Sequence, residues 1–277
     1  MLILDSQVHV WPAHRSERPL GLAGRDRPPY LYETLLAEMD RAAVDRAILV
    51  PPTYDGDRND YALEAARAHP DRFAVMGRVS LEKGRDGCGR DALAAWTAQP
   101  GMLGVRLTFH RTEDRPWLTD GTADWFWPEA EKHGIPVMVH APEQVAEMGR
   151  VARRYPGLTI IYDHMAFGRD TMDQRTLERV KELVALAAFP NVCVKVSALP
   201  CNTTDPYPFR NLDEPIRRVI DAFGPRRSFW GSDITRIPAP VTYRQVVTHF
   251  TDELGFLSEG DLEWIMGKGL AARLNWK

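Results

Sequence analysis

The sequence of 277 residues predicts a (β/α)8 TIM barrel, an α/β fold in which eight parallel strands alternate with helices. Three observations predict it. Eight short apolar runs alternate with stretches of helical length, and reactive side chains follow nearly all of these runs. Successive runs end about 24 to 42 residues apart, which suits one strand and one helix each. A barrel of this kind takes about 250 residues, so the length fits one such domain.

The eight apolar runs are the predicted strands. Each is rich in β-branched or other apolar residues and is followed by a polar or glycine-rich turn. The predicted strands are residues 2–9, 46–50, 73–79, 103–109, 135–140, 159–164, 192–197 and 228–233. Strands that alternate with helices in this way form a parallel sheet covered by helices.

The stretches between the strands carry apolar residues at helical spacing. Two clear examples are residues 32–43 and residues 171–188. Their apolar stripes consist of Leu35, Leu36, Met39 and Ala43 in the first helix, and of Leu177, Val180, Leu183, Val184 and Leu186 in the second. Both stretches are typical of helices that cover a sheet.

An open, doubly wound sheet would have the same alternation of strands and helices. It would also carry a glycine-rich phosphate turn after the first strand, and no such turn follows residue 9. Side chains capable of chemistry instead end strand 1 and strands 3 to 8. All these ends meet at one mouth only if the sheet closes into a barrel.

No linker divides the sequence, so we expect residues 1–277 to form a single barrel domain with a C-terminal helical extension. The loops at residues 10–30, 198–211 and 234–241 are long or unusual and are expected to rim the mouth. An apolar stripe in the extension predicts either packing against the barrel or a homodimer interface; it consists of Ile265, Met266, Leu270 and Leu274.

The composition excludes several functional classes. Apolar residues make up 44% and charged residues 26%, and the formal charge of −3 is not collected in blocks, so we expect neither nucleic acid nor a membrane as a partner. Three cysteines are too few for a disulfide framework, which favours a reducing compartment. The sequence has neither a basic leader nor an apolar span of about 18 residues, so we expect a cytoplasmic protein.

Five polar side chains are predicted to meet at the barrel mouth. Gln7 and His9 share one face of strand 1, because side chains alternate along a strand. His140 ends strand 5, His164 ends strand 6, and Asp233 ends strand 8. Three histidines, a carboxylate and an amide on converging strand ends predict an active site.

This pattern resembles the amidohydrolase superfamily. In particular it resembles the amidohydrolase-related branch, which contains hydrolases of small carboxylated lactones and decarboxylases of the aminocarboxymuconate-semialdehyde type. The family pattern is His-x-His at the end of strand 1, His on strand 5, often His on strand 6, and Asp on strand 8. The resemblance extends from residue 5 to residue 233, and Gln7 stands where the family has its first histidine.

The resemblance implies a divalent metal ion, with zinc expected first and manganese or iron as alternatives. His9, His140 and Asp233 would hold the ion, with Gln7 as a fourth or water-bridged ligand. An amide oxygen is a poorer zinc ligand than an imidazole, so Gln7 predicts a weaker site or a harder ion. Gln7 is alternatively a buried amide bonded to Asp233 or to the backbone. The branch also includes lactone hydrolases that use no metal.

The function that the resemblance implies is hydrolysis of a small carboxylated lactone or ester by an activated water molecule. Asp233 is the expected general base, which takes the proton of the water and passes it to the leaving group. His164 is expected to act as a second acid or base, or as a donor to the oxyanion. A metal ion would lower the pKa of its bound water and polarise the carbonyl group.

The implied substrate is a small anionic molecule. Arg78, Arg106 and Arg236 are candidate ligands of its carboxylates, because a guanidinium can form forked contacts to them. Trp11 and Tyr54 are candidate apolar walls. Arg106 lies within strand 4, so an ion pair inside the barrel is the alternative role for this residue.

Two other functions stay open at this point. A non-oxidative decarboxylase of a small aromatic or unsaturated acid would use the same residues but would protonate a carbon atom. A non-catalytic barrel would bind a small acid, and Gln7 would then mark a lost metal site.

Overall fold

In a computed structural model, which describes residues 1–84 and 88–277, eight parallel strands follow the chain order around one sheet. The strands are β1 (Leu4–Val8), β2 (Arg46–Leu49), β3 (Phe73–Gly77), β4 (Met102–Thr108), β5 (Val137–His140), β6 (Ile160–Tyr162), β7 (Val192–Ser197) and β8 (Ser228–Gly231). The last strand returns to the first one, where the backbone N–H of Asp233 donates to the carbonyl of Gln7 at 3.0 Å. The predicted (β/α)8 barrel is confirmed.

Helices connect the strands and cover the outside of the barrel. The α-helices are α1 (Leu22–Arg25), α2 (Tyr32–Ala42), α3 (Asp60–Ala68), α4 (Leu81–Gly84), α5 (Cys88–Ala94), α6 (Phe126–Lys132), α7 (Val145–Arg154), α8 (Gln174–Leu183), α9 (Asp213–Phe223), α10 (Tyr243–Thr248), α11 (Glu259–Glu263) and α12 (Gly269–Arg273). A π-helical turn, Trp264–Lys268, joins α11 to α12. In the described part of the chain, every helix is too short or too polar to cross a membrane.

The predicted strands agree with the observed ones in number, order and position, and two instructive differences lie at their C-terminal ends. β6 ends at Tyr162 and β8 ends at Gly231, each two residues before the predicted end. The residues that follow turn away, because His164 has a φ of 53° and Asp233 a φ of 50°. A left-handed backbone conformation cannot continue a strand. Both side chains therefore project from turns at the mouth.

The two predicted helices are also present, with altered ends. The first one, α2, stops at Ala42, because Ala43 adopts a left-handed φ of 60° that turns the chain toward β2. The second one begins at Gln174, because Asp173 has a φ of 48°, and it ends in a 3-10 segment, Val184–Ala188.

The barrel interior has an apolar lower half and a polar upper half. The apolar half is made of Leu4, Ile48, Ala74, Met76, Met138, Ile161, Cys193 and Phe229. Toward the C-terminal ends of the strands, the buried side chains are Gln7, Arg106, Asp163 and Lys195. Charged groups this deep in a protein need partners of opposite charge, and these partners define the site described below.

The C-terminal segment closes the lower end of the barrel. Leu270 and Leu274 pack with Leu4 and Phe229 in the apolar half, and all four residues of the predicted stripe are buried. The segment thus packs against the barrel, which is the first of the two predicted alternatives. Since the stripe is covered within the chain, it gives no support to the predicted homodimer.

Candidate active site

A cavity of about 150 Å³ opens at the C-terminal mouth of the barrel. This volume is smaller than that of pockets for drug-sized ligands, so only a small molecule would fit. Nine of the ten residues that the sequence predicts for the site line this cavity: Gln7, His9, Trp11, Tyr54, Arg106, His140, His164, Asp233 and Arg236. Arg78 is the predicted residue that does not line it.

Asp233 is fully buried and faces two histidines. Its Oδ1 lies 3.4 Å from Nε2 of His9, and its Oδ2 lies 3.6 Å from Nε2 of His164. Oδ2 also accepts a hydrogen bond from Nη1 of Arg236 at 3.2 Å. Oδ1 receives no hydrogen bond from the described residues. This oxygen is therefore available to take a proton from a water molecule or a ligand.

The Gln7 amide contacts both of these histidines. Its Oε1 accepts a hydrogen bond from Nζ of Lys195, and its Nε2 lies 3.3 Å from Nε2 of His164 and 3.5 Å from Nε2 of His9. Because an ammonium group has donors only, the amide oxygen faces the lysine and the NH2 group faces the imidazoles. Gln7 is thus a buried amide, with Lys195 as its partner in place of Asp233 or the backbone.

Hydrogen bonds on the far side of each ring define which nitrogen carries the proton. Nδ1 of His9 lies 2.6 Å from the carbonyl of Val50, which can only accept, so His9 donates from Nδ1. Nδ1 of His164 lies 2.8 Å from Oγ of Ser197. Since the Gln7 amide hydrogens point at Nε2 of His164, this ring also carries its proton on Nδ1. Both Nε2 atoms are therefore acceptors.

The histidines of the site are neutral near pH 7. Burial lowers the pKa of His9, and it lowers the pKa of His140 and of His164 well below the usual value. The positive charge of Arg106 lowers the pKa of His140 further. The imidazoles consequently act as hydrogen-bonding groups and not as cations.

A cluster of three charges lies inside the barrel next to Gln7. Oδ1 of Asp163 lies 2.7 Å from Nζ of Lys195, and Oδ2 accepts a hydrogen bond from Nε of Arg106 at 3.1 Å. Lys195 and Asp163 are completely buried. Arg106 therefore forms an ion pair inside the barrel, and the same side chain also lines the cavity.

The residues that were expected to hold a metal do not fit a divalent ion in this arrangement. Among the described residues, no group of three or more His, Cys, Asp or Glu side chains is arranged to hold one. Gln7 turns its amide nitrogen, which has no lone pair to offer a metal, toward His9 and His164. The geometry therefore gives no support to His9, His140, Asp233 and Gln7 as a ligand set.

Trp11 and Tyr54 form one wall of the cavity. Their rings meet edge to face, with centroids 5.6 Å apart. Nε1 of Trp11 donates to the carbonyl of Pro28 at 3.0 Å, and the Arg27 guanidinium lies 5.5 Å from the centroid of the Tyr54 ring. Gly24 passes so close that a Cβ atom there would lie 2.5 Å from the Tyr54 ring. These contacts hold the first loop against the cavity.

Arg78 lines an adjoining cavity of about 220 Å³, which shares Thr53 and Arg106 with the first cavity. Its Nη1 lies 3.4 Å from Oγ1 of Thr108, and its buried Nε has no partner among the described residues. Burial lowers the pKa of Arg78 to about 10. A ligand would have to extend into this second cavity to contact Arg78.

Sequence reasoning missed several residues of the site. Lys195 and Ser197 share one face of β7 and are absent from the predicted site, yet they hold Gln7 and His164. His110 lies just beyond β4 and is left out of the predicted catalytic set, although its ring centroid lies 5.0 Å from that of His140. Arg27, Thr53, Arg169 and Thr235 also line the cavity. The position of Arg27 in the predicted rim loop is the one signal that points to it.

Comparison with known proteins identifies a family and several relatives. A family model described as Amidohydrolase matches residues 4–269. The chain is 30% identical to L-fucono-1,5-lactonase of Burkholderia ambifaria over 242 residues, which are 83% of this chain and 79% of that protein.

Two solved structures share the fold over nearly the whole chain. A candidate 2-pyrone-4,6-dicarboxylic acid hydrolase from Pseudomonas putida has a TM-score of 0.80 and 23% identity, with 100% of this chain and 98% of that chain covered. An amidohydrolase from Burkholderia multivorans, solved with bound zinc, has a TM-score of 0.78 and 21% identity, with 99% of both chains covered.

Proposed function

Because the chain belongs to the amidohydrolase family, we propose that it is a lactone hydrolase that opens the ring ester of a small carboxylated lactone. The similarity to L-fucono-1,5-lactonase extends over most of both chains and supports hydrolysis of a lactone. The cavity at the barrel mouth supports a small substrate. The reaction uses one water molecule, which Asp233 activates.

The position of Asp233 carries this proposal. Its Oδ2 is held by Arg236 at 3.2 Å, whereas its Oδ1 receives no hydrogen bond from the described residues. Nε2 of His9, an acceptor, lies 3.4 Å from Oδ1. Two neighbouring acceptors suit a water molecule, which would donate one hydrogen to Oδ1 and the other to His9. The lone pairs of its oxygen would then be free to attack the lactone.

In the proposed reaction, Oδ1 of Asp233 takes a proton from the water as the water oxygen bonds to the lactone carbonyl carbon. The tetrahedral oxyanion collapses, and the bond between this carbon and the ring oxygen breaks. Protonated Asp233 then gives its proton to the leaving alkoxide. The net change is the addition of water across the ester bond, and Asp233 is ionised again.

Two further groups are assigned roles in this reaction. His164 carries its proton on Nδ1, so its Nε2 is an acceptor, which favours an acid–base role over donation to the oxyanion. The guanidinium groups of Arg106 and Arg236 supply positive charge for the oxyanion, because both line the cavity.

The lining of the cavity supports an anionic, flat substrate. Four arginines line it, and they are Arg27, Arg106, Arg169 and Arg236. Guanidinium groups bind carboxylates with two parallel hydrogen bonds. Trp11 and Tyr54 offer ring surfaces against which a lactone ring would pack.

The proposed reaction is not routed through a metal. Family membership and the zinc-bound neighbour support a divalent ion in general as a candidate, with zinc, manganese and iron as the ions to consider. The amide nitrogen of Gln7 between His9 and His164 does not fit such an ion. Asp233 needs no metal to accept a proton from water.

Turnover of a panel of lactones in isotopically labelled water tests the proposal. The panel includes 2-pyrone-4,6-dicarboxylate and L-fucono-1,5-lactone, after the relatives named above. We expect hydrolysis of a carboxylated lactone, with oxygen label in the new carboxylate. Asp233→Asn should lower kcat by at least about 100-fold, because the base is lost. Asp221→Asn, an exposed change on α9, is the matched control.

Two results would contradict lactone hydrolysis. Release of CO2 with solvent hydrogen in a new C–H bond would identify a decarboxylase. Tight binding of a small acid without turnover of any lactone would identify a non-catalytic barrel.

A further inference from the structure

We propose that Lys195 keeps a divalent ion out of this site, because it holds the Gln7 amide with its nitrogen toward the histidines. The inference concerns the site of the proposed function, and it makes Lys195 a positioning residue that acts through Gln7. It is tested by metal binding in the absence of substrate. A failure of the inference is therefore distinguishable from a failure of lactone hydrolysis.

Lys195 is held in place by its surroundings inside the barrel. The side chain is completely buried in the barrel. Its Nζ donates to Oε1 of Gln7, lies 2.7 Å from Oδ1 of Asp163, and contacts Sδ of Met138 at 3.3 Å. Asp163 is itself held by Arg106 from the other side at 3.1 Å. The ammonium group is thus surrounded by acceptors that fix it under Gln7.

This ammonium group determines which end of the Gln7 amide faces the histidines. A lysine ammonium has three donors and no acceptor. If the Gln7 amide were turned over, its NH2 group would face the donors of Lys195 and find no acceptor there, while Lys195 would keep only Asp163 and Met138 as partners. A buried donor left without an acceptor destabilises that arrangement. The observed orientation, with Oε1 on the lysine, is therefore strongly preferred.

A metal ion at this site would need a free lone pair on the nitrogen of each histidine that binds it. A metal-binding histidine offers the lone pair of one nitrogen while the other N–H donates to a protein group. His9 meets this condition, since its Nδ1 donates to the Val50 carbonyl at 2.6 Å. Its Nε2 and that of His164 are, however, 3.5 and 3.3 Å from the amide nitrogen of Gln7. The amide hydrogens therefore face the lone pairs that both imidazoles would have to offer an ion.

The charged groups around the Gln7 amide also disfavour a divalent cation. Lys195, Arg106 and Arg236 carry positive charge, whereas Asp163 and Asp233 carry the carboxylates with which they pair. The three cations already exceed the two carboxylates. A divalent cation would add to this excess in a buried environment, where repulsion between like charges is strong.

Two variants test the inference, and both use the full chain. Gln7→Glu keeps an acceptor for Lys195 and turns a second carboxylate oxygen toward His9 and His164. Lys195→Met removes the donor and leaves an unbranched apolar side chain beside Met138, so that the amide oxygen is free to face the histidines. Lys132→Met, at an exposed lysine on α6 that pairs with Glu129, is the matched control.

Zinc binding is measured by titration calorimetry, and cobalt binding by the visible spectrum of the bound ion. We expect both variants to bind zinc at least about tenfold more tightly than the wild type, the scale on which supporting groups change metal affinity. They should also show the cobalt spectrum of a nitrogen- and oxygen-ligated ion. The wild type and Lys132→Met should lack that spectrum after dialysis.

The circular dichroism spectrum of each variant establishes that it is folded. If Lys195→Met does not fold, the double variant Lys195→Met/Asp163→Asn, which removes both charges of the pair, is measured instead. The inference is overturned if the wild type retains a stoichiometric zinc ion after dialysis. It is also overturned if the folded lysine variant binds zinc no more tightly than the wild type.

Discussion

Oδ1 of Asp5 accepts a hydrogen bond from the backbone N–H of Ser232 at 2.9 Å, which joins the first strand of the barrel to the turn after the last one. The same oxygen accepts from the backbone N–H of Gln7 at 3.0 Å. The hydroxyl groups of Tyr243, at 2.6 Å, and Ser232 donate to Oδ2. Asp5 thereby fixes the backbone beside Asp233 and at Gln7, although it does not line the cavity.

Asp5→Asn should weaken both the fold and the reaction. The amide would place a donor where two hydroxyl groups now donate, and buried unsatisfied groups cost about 1–3 kcal/mol. We expect the free energy of unfolding in urea to fall by about that amount. We also expect a lower kcat, because the backbone at Asp233 shifts. Asp221→Asn should change neither quantity. Unchanged stability of Asp5→Asn would contradict the role of the Asp5 hydrogen bonds in holding the backbone.

The contribution of Asp5 to the free energy of unfolding should change with pH in a definite direction. Burial raises the pKa of Asp5 from 3.8 to about 6. Between these values the folded chain holds a proton on Asp5 that the unfolded chain releases. The stabilisation that this proton gives is fully present below about pH 4 and is lost as the pH rises through about 6. The difference in unfolding free energy between the wild type and Asp5→Asn should therefore be larger near pH 5 than near pH 7. A difference that grew with pH would contradict the raised pKa.

His249 should act in the opposite direction. It packs between Phe209 and Phe250, with ring centroids 5.2 and 5.5 Å away, and burial lowers its pKa from 6.5 to about 4. Between these values the unfolded chain binds a proton that the folded chain does not, so stability is lost as the pH falls. In His249→Leu, unfolding should take up one proton fewer over this interval. The free energy of unfolding should therefore fall less steeply as the pH is lowered. Its activity at neutral pH should stay unchanged, because His249 does not line the cavity.

Arg236→Gln tests whether the guanidinium group holds Asp233 during the reaction. The change removes the contact at 3.2 Å to Oδ2 and one positive charge of the cavity. Hydrogen bonds to charged groups contribute about 1.5–3 kcal/mol, so kcat/KM should fall by about 10- to 100-fold. Arg150→Gln, at an exposed arginine on α7, is the matched control. Equal kinetic constants for Arg236→Gln and the wild type would show that Arg236 has no role in the reaction.

Removal of metals should leave the hydrolysis rate unchanged. The amide nitrogen of Gln7 faces His9 and His164, so we propose that Asp233 activates the water without a metal ion. Protein treated with a chelator and assayed in metal-free buffer should keep its kcat. Loss of activity that zinc, manganese or iron restores would require a metal-dependent mechanism.

The strand order could be predicted because apolar runs and helical stripes repeat along the whole sequence. The strands and the loops that follow them together supplied nine of the predicted residues that line the cavity. The role of Lys195 could not be predicted in this way. A lysine is rarely buried, and its position beneath Gln7 depends on the pairing of β7 with strands distant in sequence. Arg78 illustrates a second difficulty, because strand position alone does not indicate which of two adjoining cavities a long side chain enters.

The contrast between the two halves of the barrel interior also bears on how such a protein changes over evolutionary time. The lower half, sealed by Leu270 and Leu274, supplies the apolar burial on which folding depends. The residues that would contact a substrate include Trp11, Tyr54 and Arg236. They belong to loops above the polar upper half of the barrel interior. Exchange of these loop residues is therefore expected to alter substrate preference at little expense to folding, which leaves the scaffold open to new specificities.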